Sequence, residues 1–234
     1  MKILLTSGGT KVPIDRVRSI TNMSRGTFGS KIARQLIQNE DVHLTYLGAE
    51  GFEMPFSARI DCFDEDKLSF VELIAERIGL LAGRRDRYAQ VTYKTFDEYA
   101  EQLKRLVQEE KPDVVILAAA VSDFIVPNPL DGKIRSKDSL NIQLEASPKL
   151  ISQIKKWHPD CRLIGFKLLV DSTDEELIEA ARKSIKENDC DLVVANDLRD
   201  IKAGEHRLLI VNENFVEEYT GSSLAKIVAE KACE

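Results

Sequence analysis

The run Asp113-Val114-Val115-Ile116-Leu117-Ala118 is apolar at nearly every position, so the strand it would form is greasy on both faces. Parallel strands need crossover helices, and those helices cover both sides of the sheet; a near-continuous apolar run therefore marks a central parallel strand. The rest of the chain fits around it. Ile3-Leu4-Leu5 is a short buried run closed by Ser7-Gly8-Gly9, and Val42 to Leu47, Val91 to Tyr93, Arg162 to Phe166 and Asp191 to Ala195 read as further strands. Between them apolar residues recur at helical spacing: Phe28, Ile32, Leu36 and Ile37 up to Asn39, then Leu68, Val71, Ile74, Ile78 and Leu81 within 66–83. Residues 96–109 and 174–187 are further helices, the latter behind a Thr173/Asp174 start signal. Leu150, Ile151 and Ile154 form a short helix after Pro148. Leu208 to Val211 and Phe215 to Tyr219 form a hairpin around Asn212–Asn214, and 222–232 closes the chain as a helix. Strands alternating with helices predict an α/β chain of Rossmann-like, three-layer αβα form with a mainly parallel sheet.

A length of 234 residues suits a single domain over 1–234, and 43% apolar residues are ample for its core. One segment breaks the alternation: 127–145 holds two prolines, a glycine and alternating charge, and is expected to be a small β flap or dimerisation element. No apolar run approaches the roughly 20 residues of a bilayer span, and Lys2 is followed at once by a strand and a glycine pair rather than a signal-peptide core; a cytoplasmic location is expected. Cys62, Cys161, Cys190 and Cys233, like His43, His158 and His206, are scattered, which argues for ordinary reduced cysteines and against a disulfide framework or zinc site. A net charge of −6, from 33 basic and 39 acidic residues, argues against nucleic acid as a partner. It leaves room for small anions, because a pocket can be locally positive on an acidic protein.

Five constellations carry chemistry. Thr6-Ser7-Gly8-Gly9-Thr10 closes the first strand, where glycines let the backbone approach a phosphate; the bland reading is a tight turn. Asn22-Met23-Ser24-Arg25-Gly26-Thr27-Phe28-Gly29 precedes the first helix, with Ser24 expected as its N-cap and Gly26 and Gly29 allowing close packing or an anion. Ala118-Ala119-Ala120-Val121-Ser122-Asp123-Phe124 ends the central strand with small residues that leave room for a ligand; Asp123 binds a ribose, a base or a metal, or merely caps a turn. Lys133, Arg135 and Lys137 are a phosphate clamp or a solvated edge. Ala195-Asn196-Asp197-Leu198 lies at the ligand-binding end of another strand.

Together these residues resemble the phosphopantothenoylcysteine synthetase (phosphopantothenate–cysteine ligase) family. The stretch Thr6–Thr10, Pro13-Ile14-Asp15, Val17-Arg18, Ile20-Thr21-Asn22, Ser24 and Gly26 is similar to its opening signature. Ala118–Asp123, Lys133-Ile134, Ser147-Pro148-Lys149, Gly165-Phe166-Lys167 and Ala195-Asn196-Asp197 follow in the family's order. Residues 50–88 have no counterpart there and are expected to be a family-variable helical insertion. No flavin-dependent decarboxylase domain is seen ahead of the first strand, so the resemblance is to the monofunctional bacterial form. It implies a cytoplasmic homodimer that uses CTP or ATP, with Mg2+, to join cysteine to 4′-phosphopantothenate in coenzyme A biosynthesis. By carry-over, Gly8, Gly9, Ser24 and Gly26 would surround the nucleotide phosphates. Ala119, Asp123, Pro148, Leu150, Ile151 and Phe166 would line the nucleotide pocket. Asn22 and Lys133 would be catalytic, the first contacting the acyl intermediate and the second, from a mobile segment, serving its formation or conversion. Arg18, Asn22, Ala120 and Asn196 would bind substrate, Arg18 holding its phosphate across a dimer.

The chain departs from the pattern on the helix after Phe166. Two lysines that read the nucleotide in the bifunctional enzymes fall here on Ser184 and Asn188, with Lys183 and Lys186 nearby as substitutes. Two other classes compete. A Rossmann-type reductase is disfavoured by the distance from Gly9 to the first helix and by Tyr46-Leu47-Gly48, without an acid, at the end of the second strand. A non-catalytic nucleotide sensor is disfavoured by the presence of both Asn22 and Lys133.

Overall fold

A computed structural model describes residues 1–56, 67–135, 140–203 and 207–234. Cys62, Lys137 and His206 lie outside the described residues, as does the start of the 66–83 helix. The chain opens with β1 (Lys2–Ser7), followed by a small antiparallel pair, β2 (Lys11–Pro13) and β3 (Ser19–Thr21). Then come α1 (Thr27–Leu36), β4 (His43–Ala49), α2 (Lys67–Leu81), β5 (Tyr88–Tyr93), α3 (Phe96–Glu110) and β6 (Val114–Leu117). The two-residue strands β7 (Phe124–Ile125) and β8 (Glu145–Ala146) pair antiparallel and bracket the flap. A 3-10 turn at Ile151–Gln153 and α4 (Ile154–Trp157) precede β9 (Arg162–Leu169), α5 (Asp174–Asn188) and β10 (Leu192–Asp197). The chain ends with α6 (Leu198–Ala203), β11 (Arg207–Val211), β12 (Val216–Thr220) and α7 (Leu224–Cys233).

Eight strands form one sheet in the order β12-β11-β10-β9-β6-β1-β4-β5, parallel from β10 to β5, with β11 and β12 antiparallel at one edge. The chain leaves β1 towards β4 and β5, then crosses back to β6, β9 and β10. Loops therefore diverge at the carboxyl ends of β1 and β6, the crevice where open α/β sheets bind ligands.

Strand alternation divides the core into two layers. Ile3, Leu5, Val114, Ile116, Ile164, Leu192, Val194, Leu208 and Ile210 face α1 and α7. Their neighbours Leu4, Val115, Leu117, Leu163, Val193, Ala195, Leu209 and Val211 face α3, α4 and α5. Each fully buried aliphatic side chain contributes about 1.5–3 kcal/mol, so this two-sided burial dominates the stability of the sheet. Helix starts follow local rules where the sequence supplies them. Thr173 and Glu176 form a reciprocal capping box on α5, and Thr95 accepts the Glu98 N–H at the start of α3. Among the described residues no helix is long and apolar enough to cross a membrane.

Several expectations are corrected. The residues after β1 form a hairpin, and 198–203 form α6; neither element is marked by the sequence pattern. Ser24 does not cap α1: Gly26 does, with φ of 76° and no side-chain cap, because the helix begins one turn-forming glycine later than the serine. The second strand runs to Ala49, so the residue after it is acidic after all; Glu50 is engaged with Lys94 at 2.9 Å.

Candidate functional site

The crevice is floored by backbone. Beyond the last paired residues of β1 and β6, Gly9 bridges Ala120: the Ala120 N–H donates to the Gly8 carbonyl at 2.8 Å and the Thr10 N–H to the Ala120 carbonyl at 3.3 Å. Asn22 Nδ2 donates to the same Ala120 carbonyl at 2.8 Å. Asn22, from the loop after β3, is thus drawn onto the end of β6. The Ala120 backbone groups are all engaged, so this residue can offer a substrate surface but no further hydrogen bond. Below, Thr6 Oγ1 accepts from the Ala119 N–H and from Tyr99, and Tyr93 donates to the Ser7 carbonyl. Burial raises both phenols, Tyr99 to about 12, which keeps them protonated donors.

The glycines are there for close approach. Gly8 has φ of 90°, and a Cβ on it would sit 2.5 Å from the Ala49 Cβ; a Cβ on Gly29 would sit 2.4 Å from Ser7 Oγ. Ser7 Oγ donates to the Gly26 carbonyl at 3.0 Å, pinning the start of α1 against the end of β1. The first turn of α1 carries no acidic residue and no side-chain cap, which leaves its leading N–H groups without a side-chain acceptor, an arrangement that suits an anion. Ser24 Oγ accepts, at 3.4 Å, from the Gly26 N–H.

One wall comes from the far side of β6. The Ser147 N–H donates to the Asp123 carbonyl and Ser147 Oγ to the Ser122 carbonyl, while the Ser122 N–H donates to Thr10 Oγ1. This sets Pro148 beside Asp123, whose side chain is exposed. Leu150 and Ile151 pack half-buried against the α5 side of the core, and a Cβ on Gly165 would lie 3.3 Å from Ile151 Cδ1. The next residue, Phe166, meets Phe28 of α1 edge-on at 6.2 Å. Phe28 and Phe166 thus lie on the α1 side of the sheet and Leu150 and Ile151 on the α5 side, so the expected pocket residues Phe166, Leu150 and Ile151 flank the strand ends from opposite faces.

The rim is polar. The buried Asp15 carboxylate accepts from Val17 N–H, Arg18 N–H, Arg18 Nη1 and the Ile134 N–H, all within 2.7–3.0 Å. The Ile134 N–H in particular holds this carboxyl below its ordinary value; burial opposes the shift, and the other donors add to it. The flap is anchored further by Leu130 N–H to the Ile14 carbonyl and Arg16 N–H to the Gly132 carbonyl. Lys133 is exposed and stands between two backbone anchors, at Gly132 and Ile134. Sequence reasoning treated Asp15 only as part of a motif, although an aspartate two and three residues before N–H partners is the pattern of a side-chain-closed turn.

Two expected residues lie apart. Asn196, half-buried on β10, is three strands from β1, or roughly 14 Å at the usual strand spacing. Lys183 is the tenth residue of α5, roughly 14 Å along from its start, and it pairs with Glu187 at 3.8 Å. Asp197 is structural in its contacts: its carboxylate accepts from the Asp171, Ser172 and Arg199 N–H groups and from Ser172 Oγ. Those donors, led by the Ser172 N–H, hold it well below the usual range.

The chain is similar to known proteins. The bifunctional coenzyme A biosynthesis protein CoaBC of Thermococcus kodakarensis is 34% identical over 217 residues, 93% of this chain and 46% of that protein. The human phosphopantothenate–cysteine ligase is 29% identical over 252 residues, covering 90% of this chain and 79% of that one. The chain spans about half the length of the curated bifunctional relatives it matches. Among solved structures, the DNA/pantothenate metabolism flavoprotein from Streptococcus pneumoniae superposes with a TM-score of 0.77 at 30% identity, covering 99% and 96% of the two chains. A family model described as the DNA/pantothenate metabolism flavoprotein C-terminal domain matches residues 1–48 and 75–232, leaving out a stretch narrower than the expected 50–88 insertion. The matched residues include the Gly8-Gly9 turn, the end of β6 and the rim, and the chain belongs to that family.

Proposed function

We propose that this chain is a ligase that condenses 4′-phosphopantothenate with cysteine at the expense of a nucleoside triphosphate. The carrying observation is the Asn22–Ala120 hydrogen bond at 2.8 Å, which brings a side-chain amide, the glycine turn and the small-residue end of β6 to one point. The activity of the relatives, which their names give as phosphopantothenate–cysteine ligase and coenzyme A biosynthesis, supports the same reading.

In the first step a carboxylate oxygen attacks the α-phosphorus of the nucleotide, the P–O bond to pyrophosphate breaks, and an acyl-nucleotide forms. In the second the cysteine nitrogen attacks the acyl carbon, a proton leaves the nitrogen, and the nucleoside monophosphate departs. Gly8, Gly9, Gly26 and the open first turn of α1 suit the phosphates, with Ser24 beside them. Ala119, Asp123, Pro148, Leu150, Ile151 and Phe166 suit the nucleoside. Asn22 keeps its amide oxygen and a second N–H for the acyl group, and donors without charge are useful where charge develops. Lys133 supplies the cation and Arg18 holds substrate, whereas Asn196, which the family resemblance assigns to substrate, stands on β10 away from the floor. Mg2+ would travel on the triphosphate: such ions keep several waters and need one or two carboxylates besides the phosphates, and the exposed Asp123 fits that role.

CTP is the proposed nucleotide, read through short contacts near Ala119 and Asp123, with Lys183 as the residue closest to the family's nucleotide-reading positions. A homodimer is proposed as well. Val17, Met23, Phe124 and Leu130 expose apolar side chains along the hairpin and flap, a surface that a second copy would cover. The test is pyrophosphate release with 4′-phosphopantothenate and cysteine, run separately with CTP and ATP. No release with either sinks the ligase reading; equal or faster turnover with ATP sinks the CTP preference. Light scattering of the active protein checks the dimer, which a monomeric mass overturns.

A further inference from the structure

Asp15 touches neither the glycine floor nor the nucleoside wall, yet its side chain has no exposed surface. A buried carboxylate must be matched by donors, and this one has four, which fill both oxygens. Oδ1 takes the Val17 and Arg18 N–H groups at 2.8 and 2.7 Å and so closes the tip of the hairpin on itself. Oδ2 reaches elsewhere. It takes Arg18 Nη1 at 2.9 Å and the Ile134 N–H at 3.0 Å, from a residue 119 positions away in the chain. Arg18 Nη1 also donates to the Ile134 carbonyl at 3.3 Å. The Ile134 residue is therefore gripped at its N–H by Asp15 and at its carbonyl by Arg18.

We infer that Asp15 is a positioning residue that locks together the two cations of the rim, Arg18 and Lys133, so that one is set only when the other is. This rests on the ligase reading above, which gives those cations their tasks. One oxygen fixes the hairpin that carries Arg18, and the other fixes the guanidinium and the peptide next to Lys133. With Nη1 committed to Asp15 and the Ile134 carbonyl, the half-exposed guanidinium keeps further N–H groups with which it can hold an anionic substrate group. The link runs through backbone and hydrogen bonds, so its loss would show as misplacement of Lys133 rather than as a missing contact to substrate.

Asp15→Asn separates this from a general structural role. The asparagine is the same size, and its oxygen can still accept the Val17 and Arg18 N–H groups. Its NH2 then faces the Ile134 N–H and the Arg18 guanidinium, donor against donor. The expected result is a fall in kcat of about 100-fold, the order that a misplacement near 1 Å produces. In a Lys133→Gln background the same change is expected to cost less than about 5-fold, because residues that act as a unit are not additive. Trypsin is expected to cut after Lys133 faster in Asp15→Asn than in the unsubstituted protein. An equal cost in both backgrounds overturns the inference. Should Asp15→Asn fail to fold, hydrogen exchange in the unsubstituted protein decides: the Ile134 amide is expected to be slowed relative to Lys133 and Arg135, and exchange at the rate of open chain overturns the lock. Absence of turnover by the unsubstituted protein removes the ligase reading and this role with it. Normal turnover with additive variants removes this role alone.

Discussion

The floor and the rim of the crevice face the same space but are held by opposite means. The floor is fixed by exclusion: Gly8, Gly26 and Gly29 let Ala49, Ser7 and the start of α1 come so close that no side chain fits between them. The rim is fixed by attraction, through the four donors on Asp15 and the backbone ties of Leu130 and Gly132. A site held by sterics keeps its shape with or without ligand, which suits the part that receives phosphates. One held by a few hydrogen bonds can open and close at modest cost, since each contributes a net of about 0.5–1.5 kcal/mol. Pre-formed floors and closing rims recur in enzymes that must admit large substrates and then exclude water.

The largest effect expected from this contrast is on the rim, and it is kinetic. Lys133→Gln should fold normally, with stability changed by less than about 0.5 kcal/mol, as for an exposed side chain. Its overall turnover should fall by about 10²–10³-fold, the usual loss when a positioned cation or donor at developing charge is removed. Lys137→Gln should do much less. Product formation near that of the unsubstituted protein at saturating cysteine would mean that Lys133 is only a solvated edge, and that the rim has no chemical part.

On the floor the expected effect is thermodynamic, and a helical glycine outside the floor serves as its control with the opposite sign. Gly→Ala in an open helix position stabilises by about 0.8–1 kcal/mol. Gly79, in α2, has open space where a Cβ would go, so Gly79→Ala should raise the denaturation midpoint. Gly29, in α1, would drive its Cβ into Ser7 Oγ and Ser7 Cβ at 2.4 and 2.7 Å. Overpacking costs about 1–3 kcal/mol, which exceeds the propensity gain, so Gly29→Ala should lower the midpoint. If both variants shift the same way in urea, the close approach at Gly29 is not what fixes the floor.

The two regions also differed in how well they could be read from the chain. The floor was legible because its cues are local: an apolar strand, then glycines or alanines, repeated at β1 and β6. The layers of the sheet were legible for the same reason, since two-sided burial writes itself as an unbroken apolar run in Val114–Leu117. The rim was not. β2 and β3 are three residues each with Pro13 among them, β7 and β8 are two residues each, and none shows a period. The contact that ties the hairpin to the flap, between Asp15 and a partner 119 residues on, is announced by no local pattern either. Lys133 was found through family resemblance, whereas the anchors on either side of it came only from the structure. Ser24 was misread for a different reason. Serine is a favoured cap, but a glycine two residues later with a left-handed φ turned the chain there instead.

That misreading yields the smallest and most discriminating measurement. If Ser24 capped α1, Ser24→Ala would cost about 1 kcal/mol of stability, as losses of N-caps do. In the structure its hydroxyl only accepts from the Gly26 N–H at 3.4 Å, a long bond outside the helix proper, so the stability change should stay below about 0.5 kcal/mol. The proposed task of Ser24 lies beside the nucleotide phosphates, where one hydrogen bond corresponds to about 0.5–1.5 kcal/mol, or up to a tenfold change in affinity. Ser24→Ala should therefore raise KM for the nucleotide several-fold, leave kcat nearly unchanged, and leave the urea midpoint where it was. A fall in the midpoint with KM unmoved would restore the serine as a cap and take it out of the floor. A large fall in kcat would place it nearer the reacting phosphorus than the phosphate contacts proposed for it. Only the first pattern keeps the division between a floor set by packing, to which Ser24 adds one ligand contact, and a rim set by hydrogen bonds.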